Sequence, residues 1–423
     1  MKKAKHLLSL TLTGIFSIVL VLGLCGVIEA QDTVYIDFMD FADNEVFVTL
    51  MAERYAKANP NIKVRFSPAP AVASEYHNKL VTILASGDTE TDIIDTDVVW
   101  PPEFVAGGWL APLDEYISEE ELAEFVPATV LGRTIGGRLY GIPWFHDIGV
   151  FLWRSDILDE AGIEPPIYWM EMVEIAQKLQ DPPNLYGFVT CFNRSAHIQC
   201  GFDEFLWSNN GVMSDDPPTK MLINSPAGVE ALEFMVDLVN KYKITQPGVT
   251  SMGLDEGRQI FTQGNALFHR NWIYAGNLAE QEDSKVKGKV GVGPLPKFPG
   301  GRHAQNLGGW AYSVNALSPY IEESALFSRF LASREVQKER ALTQRQTPSL
   351  IDLFADPDLV AKYPHYAGIL EANKWVMWRL KSPFYAQISD IMALYLQKAI
   401  IGEMSPKEAL DAAVEEANFL LAE

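Results

Sequence analysis

The chain has 423 residues, of which 48% are hydrophobic and 21% charged, and its formal net charge is −21 at pH 7. This length exceeds what one small core requires and predicts two domains of ordinary size. The negative charge excludes nucleic acid and anionic membrane surfaces as attractive partners, because both carry charge of the same sign.

The N-terminus is typical of an exported protein. Three lysines in the first five residues precede an apolar stretch from residue 7 to about residue 28, and the small residue Ala30 follows. We therefore expect residues 1–30 to be a secretory signal peptide, which places the remainder in the periplasm or at the outer face of the cell membrane. Two alternatives stay open: an uncleaved membrane anchor, because the apolar stretch is long enough to span a bilayer, and lipidation at Cys25.

The next part of the chain alternates between strand and helix patterns. The segment "TVYIDFM" alternates like a strand, and helical spacing follows from Glu45 to Asn59. The segment "NIKVRF" predicts a second strand, residues 74–86 a second helix, and "TDIIDTDVVW" a buried third strand. This order predicts a parallel α/β sheet, whose ligands lie beyond the carboxyl ends of the strands, where Asp97 falls.

A second α/β block begins near "YGIPWFHDIGVFLWRSDIL". Helices are expected at about residues 168–179, 226–242 and 255–263, and a strand at "YGFVT". The Gly/Pro-rich segment "VGVGPLPKFPGG" is predicted to cross back to the first sheet, where "GWAYSVNA" forms a strand. From about residue 321 the pattern is mostly helical, and Ser405 caps a final helix.

Two cysteines, Cys191 and Cys200, flank eight residues in "CFNRSAHIQC". In an exported chain this spacing predicts a disulfide. A metal site is the weaker alternative, because the nearby His197 does not complete a ligand set. We therefore expect neither a bound metal nor a cofactor.

Motifs of the common enzyme classes are missing from the sequence. It contains no G-x-S-x-G elbow, no H-E-x-x-H, no P-loop and no dinucleotide glycine fingerprint after a strand. The acidic run "DTETDIIDTD" lacks the glycine of a calcium loop. The sequence therefore favours a protein that is not an enzyme and has no catalytic residues.

Three segments, in this order, resemble the extracellular solute-binding proteins of ABC sugar importers: "GRLYGIPWFHDIGVFLWRSDIL", "FTQGNALFHRNWIYA" and "NLGGWAYSVNA". The C-terminal "GEMSPKEALDAAVEEA" also fits, and the resemblance is closest to the trehalose/maltose-binding branch. It implies the α/β, two-lobed periplasmic-binding-protein fold of type II, with discontinuous lobes joined by a hinge. We place lobe 1 at residues 31–143 and 292–345, and lobe 2 at residues 144–291 and 346–423.

The resemblance also implies a sugar site in the cleft between the lobes. Carboxylates, amides and an arginine would hydrogen-bond the sugar hydroxyls, and aromatic rings would cover the C–H faces of the sugar. Where the trehalose/maltose branch has an arginine, this chain has His77, which indicates that one sugar subsite differs. Carried over position by position, the expected binding residues are Asn44, Glu45, His77, Asp97, Phe145, Asp147, Trp272, Gly309, Trp310 and Arg379.

Two of these assignments have a structural alternative. Gly308 and Gly309 precede Trp310, and they either form a tight packing turn or let the backbone approach a ligand. With the resemblance, we expect the backbone to approach the sugar while the indole covers it. Arg379 either donates to the sugar or forms an ion pair between the lobes.

We expect a monomer that binds an α-linked disaccharide or glucoside (trehalose, maltose, sucrose or glucosylglycerol) with high affinity outside the cytoplasm. Hinge closure would then deliver the sugar to the permease subunits of an ABC transporter. The alternative is a secreted glycoside hydrolase acting on similar sugars, because carboxylates beside aromatic rings also describe such sites. A third hypothesis is a sensor or lectin subunit, which shares the site and differs in its membrane partner.

Overall fold

The computed structural model describes residues 33–422. The predicted signal peptide and the alternative lipidation site at Cys25 lie outside the described residues. The strands are β1 (Val34–Phe41), β2 (Ile62–Ala69), β3 (Ile93–Asp97), β4 (Thr134–Ile135), β5 (Arg138–Leu139), β6 (Ile142–Arg154), β7 (Tyr186–Val189), β8 (Ala266–Trp272), β9 (Val290–Gly293), β10 (Gln305–Val314) and β11 (Val376–Met377).

The α-helices are α1 (Glu45–Ala58), α2 (Ala73–Ala85), α3 (Pro101–Ala106), α4 (Glu119–Leu122), α5 (Pro127–Gly132), α6 (Ser155–Ala161), α7 (Trp169–Leu179), α8 (Ala196–Ser208), α9 (Pro226–Asn240), α10 (Leu254–Thr262), α11 (Ile273–Ala279), α12 (Ile321–Leu331), α13 (Arg334–Gln344), α14 (Pro357–Lys362), α15 (Tyr366–Ala372), α16 (Tyr385–Ile400) and α17 (Pro406–Leu421). Short 3₁₀ helices span Ala42–Asn44, Ile351–Ala355 and Asn373–Trp375.

The first three strands form a parallel unit, as predicted. β1 pairs with β2 along its whole length and with β3 through Phe38 and Met39. Phe38 is fully buried, and helices α1 and α2 add the buried side chains of Met51 and Leu80 to the same core. The expected alternation of strands and helices up to Asp97 is therefore confirmed.

Nine strands form one sheet, which runs in the order β2-β1-β3-β10-β6-β8-β7 with β11 beside β10 and β9 beside β6. The predicted return of "GWAYSVNA" to the first strands is confirmed, but β10 enters antiparallel to β3, so the sheet is mixed. β4 and β5 pair separately. The predicted α/β class is confirmed.

Two long strands, β6 and β10, join the halves of the sheet. The start of β6 pairs with β10 beside β3, with Ile142 opposite Tyr312, whereas its end pairs with β9, with Arg154 opposite Val290. β8 also pairs with this end of β6. We call the α/β unit around β1–β3 the first lobe and the unit around β7–β9 the second lobe; β6 and β10 run through both.

Helices also cover the second lobe. Trp169 of α7 packs on Phe205 of α8, with ring centroids 4.4 Å apart. The predicted cap of the final helix is confirmed, because Ser405 Oγ accepts a hydrogen bond from the Glu408 amide and the Glu408 carboxylate accepts one from the Ser405 amide. The expected helices near residues 168–179, 226–242 and 255–263 correspond to α7, α9 and α10.

The predicted disulfide between Cys191 and Cys200 is wrong. Both residues are buried and carry free thiols. Cys191 Sγ lies 2.9 Å from Asn193 Oδ1 and 3.1 Å from the Met252 carbonyl oxygen, whereas Cys200 lies inside α8. Burial raises the pKa of Cys191 to about 11 and that of Cys200 to about 12, so both thiols stay protonated at neutral pH.

Two further observations concern residues 33–422. No helix in this range combines the length and the apolar character needed to cross a bilayer. Within the same range, no three His, Cys, Asp or Glu side chains are grouped so that they could hold a metal ion.

Candidate functional site

The strand register brings several of the expected site residues together where the lobes meet. Trp310 lies opposite Asp97 of β3 on one side and opposite Phe145 of β6 on the other. Trp272, at the end of β8, lies opposite Gly149 of β6. Residues far apart in the chain therefore meet at the junction of the sheet halves.

Trp310 belongs to an aromatic cluster in the first lobe. Its ring meets Phe41 edge-on at 4.8 Å and Trp100 edge-on at 5.2 Å, measured between ring centroids. Tyr76 packs behind both Phe41 and Trp100. Trp100 is buried, and it also supports the half-buried Trp310.

Asp97 and Arg379 form an ion pair across the junction. Arg379 Nη2 lies 2.9 Å from Asp97 Oδ1, and the two side chains are 6% and 19% exposed, respectively. The guanidinium also donates to the Leu307 carbonyl at 3.1 Å and to the Tyr385 hydroxyl at 3.3 Å. The structure thus contains the ion pair that was given as the alternative role of Arg379. Binding of a solute by Asp97 and Arg379 stays a prediction.

Asp147 faces the start of α11. Its Oδ1 accepts a hydrogen bond from the Ile273 amide at 2.7 Å and one from the Ile148 amide at 3.1 Å. Burial raises the pKa of Asp147 well above its usual value, and these two amides act in the opposite direction. Asp147 therefore anchors the segment that follows Trp272.

The two glycines of "NLGGW" are explained by packing against protein. A Cβ at Gly308 would lie 2.8 Å from Cζ3 of Trp272. Gly309 has a φ of +107°, and a Cβ there would overlap the Phe145 carbonyl oxygen. At both positions the space that a Cβ would need is filled by neighbouring protein atoms, so packing explains the two glycines. A contact between Gly309 and a solute stays a prediction.

The remaining expected residues lie on the first lobe. Asn44 is buried, and its Nδ2 lies 3.0 Å from both carboxylate oxygens of Asp40. Glu45 is exposed at the first turn of α1. His77 lies 2.7 Å from Glu103 through Nε2, and its ring is 5.3 Å from that of Trp100. His77 therefore lies behind the aromatic cluster, paired with a carboxylate of its own lobe.

Sequence reasoning missed a buried polar cluster behind Asn44. Arg340 donates to the Tyr312 hydroxyl at 2.7 Å, and its charge acts on the buried carboxyls of Asp40 and Asp95. Burial raises the pKa of Asp40 to about 6, against the lowering effect of Arg340, and it raises the pKa of Asp95 well above its usual value. The one signal in the sequence was "IIDTD", where aspartates interrupt an apolar strand.

The chemistry of the site suits binding. Asp97 and Arg379 carry an acceptor and a planar set of donors that are paired with each other, and the junction also holds two indoles, the half-buried Trp310 and the buried Trp272. A polar solute with C–H faces needs this combination. Asp147 already accepts hydrogen bonds from two protein amides, and these contacts order the start of α11.

Comparisons with known proteins identify the family and the fold of the chain. The model of the family described as bacterial extracellular solute-binding protein matches residues 40–338. A probable ABC transporter-binding protein of Deinococcus radiodurans is 32% identical over 336 residues, which cover 77% of this chain and 79% of that protein.

Solved structures show the same fold. Maltose-bound MalE3 of T. maritima gives a TM-score of 0.84 at 35% identity and covers 91% of this chain and 99% of that chain. An ABC transporter solute-binding protein of Thermotoga lettingae, bound to α-D-tagatose, gives 0.81 at 26% identity and covers 92% of this chain and 100% of that chain.

These matches confirm the predicted two-lobed fold. The relatives are binding proteins, which confirms the expectation of a protein that is not an enzyme and counts against the glycoside hydrolase alternative. The chain belongs to the bacterial extracellular solute-binding protein family.

Proposed function

We propose that this protein binds an α-linked disaccharide or glucoside outside the cytoplasm and delivers it to the permease subunits of an ABC transporter. The observation that carries the proposal is the register of β10, which sets Trp310 between Asp97 and Phe145 where the two lobes meet. The similarity to maltose-bound MalE3, at 35% identity over nearly the whole chain, supports a sugar as the solute.

In this proposal the sugar lies between the indoles of Trp310 and Trp272. Asp97 and Arg379 exchange part of their mutual contact for sugar hydroxyls, and Asp147 contributes from the second lobe. Phe145 and Gly309 border the site, and the residues on the rim of the first lobe are Asn44, Glu45 and His77. Asn44 and His77 are already engaged by Asp40 and Glu103, which favours an indirect role for these two.

The hinge is assigned to the strands that run through both lobes. The sequence boundaries placed one crossing at residue 292, but β9 (Val290–Gly293) pairs with the second-lobe end of β6. This pairing favours a crossing inside β10, near the bulge between Trp310 and Ala311. Closure about β6 and β10 would be stabilised by as much as the sugar prefers the closed form.

The partners and the setting belong to the same proposal. The protein would act as a monomer in the periplasm or at the outer face of the membrane, after export through residues 1–30. Trehalose, maltose, sucrose and glucosylglycerol are the candidate ligands. A permease would distinguish the loaded from the empty protein by the relative position of the lobes.

A thermal-shift screen over these four sugars tests the proposal. A ligand at about 100 times its Kd should add about 2.7 kcal/mol to the free energy of unfolding. Trp310→Ala should abolish most of the shift, whereas Trp153→Ala, a half-buried tryptophan of β6 outside the junction, should leave it intact. Equal shifts in both variants, or no shift with any sugar, would refute the assignment.

A further inference from the structure

A buried ion pair lies in the second lobe beside Trp272. Arg270 Nε lies 2.7 Å from Glu204 Oε2, and Arg270 Nη2 lies 2.6 Å from Glu204 Oε1. The two side chains are 6% and 2% exposed. The pair therefore has the geometry of a bidentate arginine–carboxylate contact taken almost entirely out of water.

The guanidinium of this pair faces the indole of Trp272. Its central carbon lies 4.7 Å from the ring centroid. Arg270 and Trp272 are two residues apart in β8, so their side chains leave the strand on the same face. A cation at this distance attracts the ring face, and the carboxylate of Glu204 fixes the cation in turn.

Neighbouring residues make room for the pair and hold it. Gly149 lies opposite Trp272 in the sheet, and a Cβ there would overlap Glu204 Oε1 and lie 2.8 Å from Arg270 Nη2. The backbone amide of Asn306 donates to Glu204 Oε1 at 3.2 Å. Two strands besides β8, namely β6 through Gly149 and β10 through Asn306, thus accommodate these two charges.

Stability alone does not explain the arrangement. An apolar pair of similar volume commonly stabilises a core as well as a buried ion pair does, because the charges lose their hydration. An arginine held by a carboxylate supplies something an apolar pair lacks, namely a flat cation fixed against an aromatic face. We propose that Glu204 and Arg270 are positioning residues that hold the indole of Trp272 at the angle at which it meets the solute.

This inference rests on the proposed function, in which Trp272 contacts a sugar. The experiment therefore needs one measurement that does not depend on the sugar. We suggest ¹⁹F NMR of the full chain labelled with 5-fluorotryptophan, in which the Trp272 resonance is identified by its loss in Trp272→Phe.

The test variant is Glu204→Leu combined with Arg270→Met, which removes both charges and keeps the volume apolar. We expect it to melt within a few degrees of the wild-type protein, to shift and broaden the Trp272 resonance, and to raise the Kd for maltose at least tenfold. In a Trp272→Ala background the same pair of changes should raise the Kd no further, because the pair acts through Trp272. Arg270→Lys, which keeps the charge without the planar fork, should give the same changes to a smaller extent.

The matched control is the Arg154–Asp156 pair of the second lobe, with contacts of 2.7 and 2.6 Å. Arg154→Met with Asp156→Leu should leave the Trp272 resonance unchanged. An unaltered Trp272 resonance in the folded Glu204/Arg270 variant would overturn the inference, as would a Kd effect that persists in full without Trp272. If the double variant does not fold, the Trp272 resonance of Arg270→Lys is the deciding measurement, and an unaltered resonance in that variant would overturn the inference. If the wild-type protein does not bind maltose, the Kd is measured with whichever of the other three candidate sugars it binds; absence of binding to all four counts against the proposed function, and the Trp272 resonance then decides the positioning role alone.

Discussion

The ion pair between Asp97 and Arg379 should stabilise the folded protein at the junction of the lobes by a measurable free energy. The substitution Asp97→Asn keeps the size of the side chain and one acceptor oxygen but removes the charge that faces Arg379. The Arg379 side chain is 6% exposed, so water cannot replace the lost carboxylate easily. We therefore expect this variant to unfold more readily in the absence of any sugar.

The expected magnitude follows from the contacts of the pair. Removing one partner of a fully buried ion pair typically costs about 3–5 kcal/mol. Asp97 is 19% exposed, and Arg379 retains the Leu307 carbonyl and the Tyr385 hydroxyl as acceptors. A hydrogen bond to a charged group contributes about 1.5–3 kcal/mol, so we expect a loss of about 2 kcal/mol.

Urea unfolding of the wild-type and variant proteins measures this loss. Asp114→Asn is the matched control, because Asp114 pairs with Arg138 at 2.7 Å while the two side chains are 37% and 50% exposed. Exposed pairs of this kind contribute about 0–1 kcal/mol. A loss below about 0.5 kcal/mol for Asp97→Asn, or one equal to that of Asp114→Asn, would refute the view that this pair joins the lobes in solution.

Three further outcomes are expected. Burial raises the pKa of Asp40 to about 6, so protonated Asp40 stabilises the fold fully below its ordinary pKa near 4, and this contribution of at most about 3 kcal/mol is lost as the pH rises through 6. In thermal melts from pH 4.5 to 7.5, the Tm of Asp40→Asn should therefore fall less steeply with pH than that of the wild-type protein. Parallel curves of Tm against pH would contradict this expectation. Gly309→Ala, at a φ of +107°, should destabilise the protein by at least about 1–3 kcal/mol in urea, and a neutral effect would be inconsistent with the strain. Cys191 and Cys200 should appear as two free thiols in non-reduced peptide mass spectra, and a joined peptide would contradict their separation.

The sequence was sufficient for the first lobe because its signals are local. Alternating and helical spacing from residue 34 to 97 reflects side chains that pack on one face of a strand or helix. The result is the observed order of β1, α1, β2, α2 and β3. The final helix was also predictable, since Ser405 and Glu408 form a cap within four residues.

Local sequence patterns do not predict which distant segments pair with each other. No spacing rule sets β10 antiparallel to β3, yet this register brings Trp310 to Asp97. The Asp40–Asp95–Arg340 cluster joins residues up to about 300 positions apart in the chain, so no motif reports it.

The predicted disulfide between Cys191 and Cys200 was wrong for a different reason. The spacing of the cysteines does not show that a helix begins between them: Ser195 caps α8 by accepting a hydrogen bond from the His197 amide at 3.3 Å. The helix carries Cys200 into the core of the second lobe. The serine was a visible helix-start signal, and it was outweighed by the spacing of the cysteines.

Tryptophan fluorescence titration tests the central claim most directly, because the proposed sugar site lies between two indoles. Adding maltose, trehalose, sucrose or glucosylglycerol to the wild-type protein should give a saturable change with at least one sugar. The variant Trp272→Phe/Trp310→Phe should stay folded, lose that change and bind at least tenfold more weakly. A saturable change of the same size and affinity in the variant, or no change with any of the four sugars, would contradict the account.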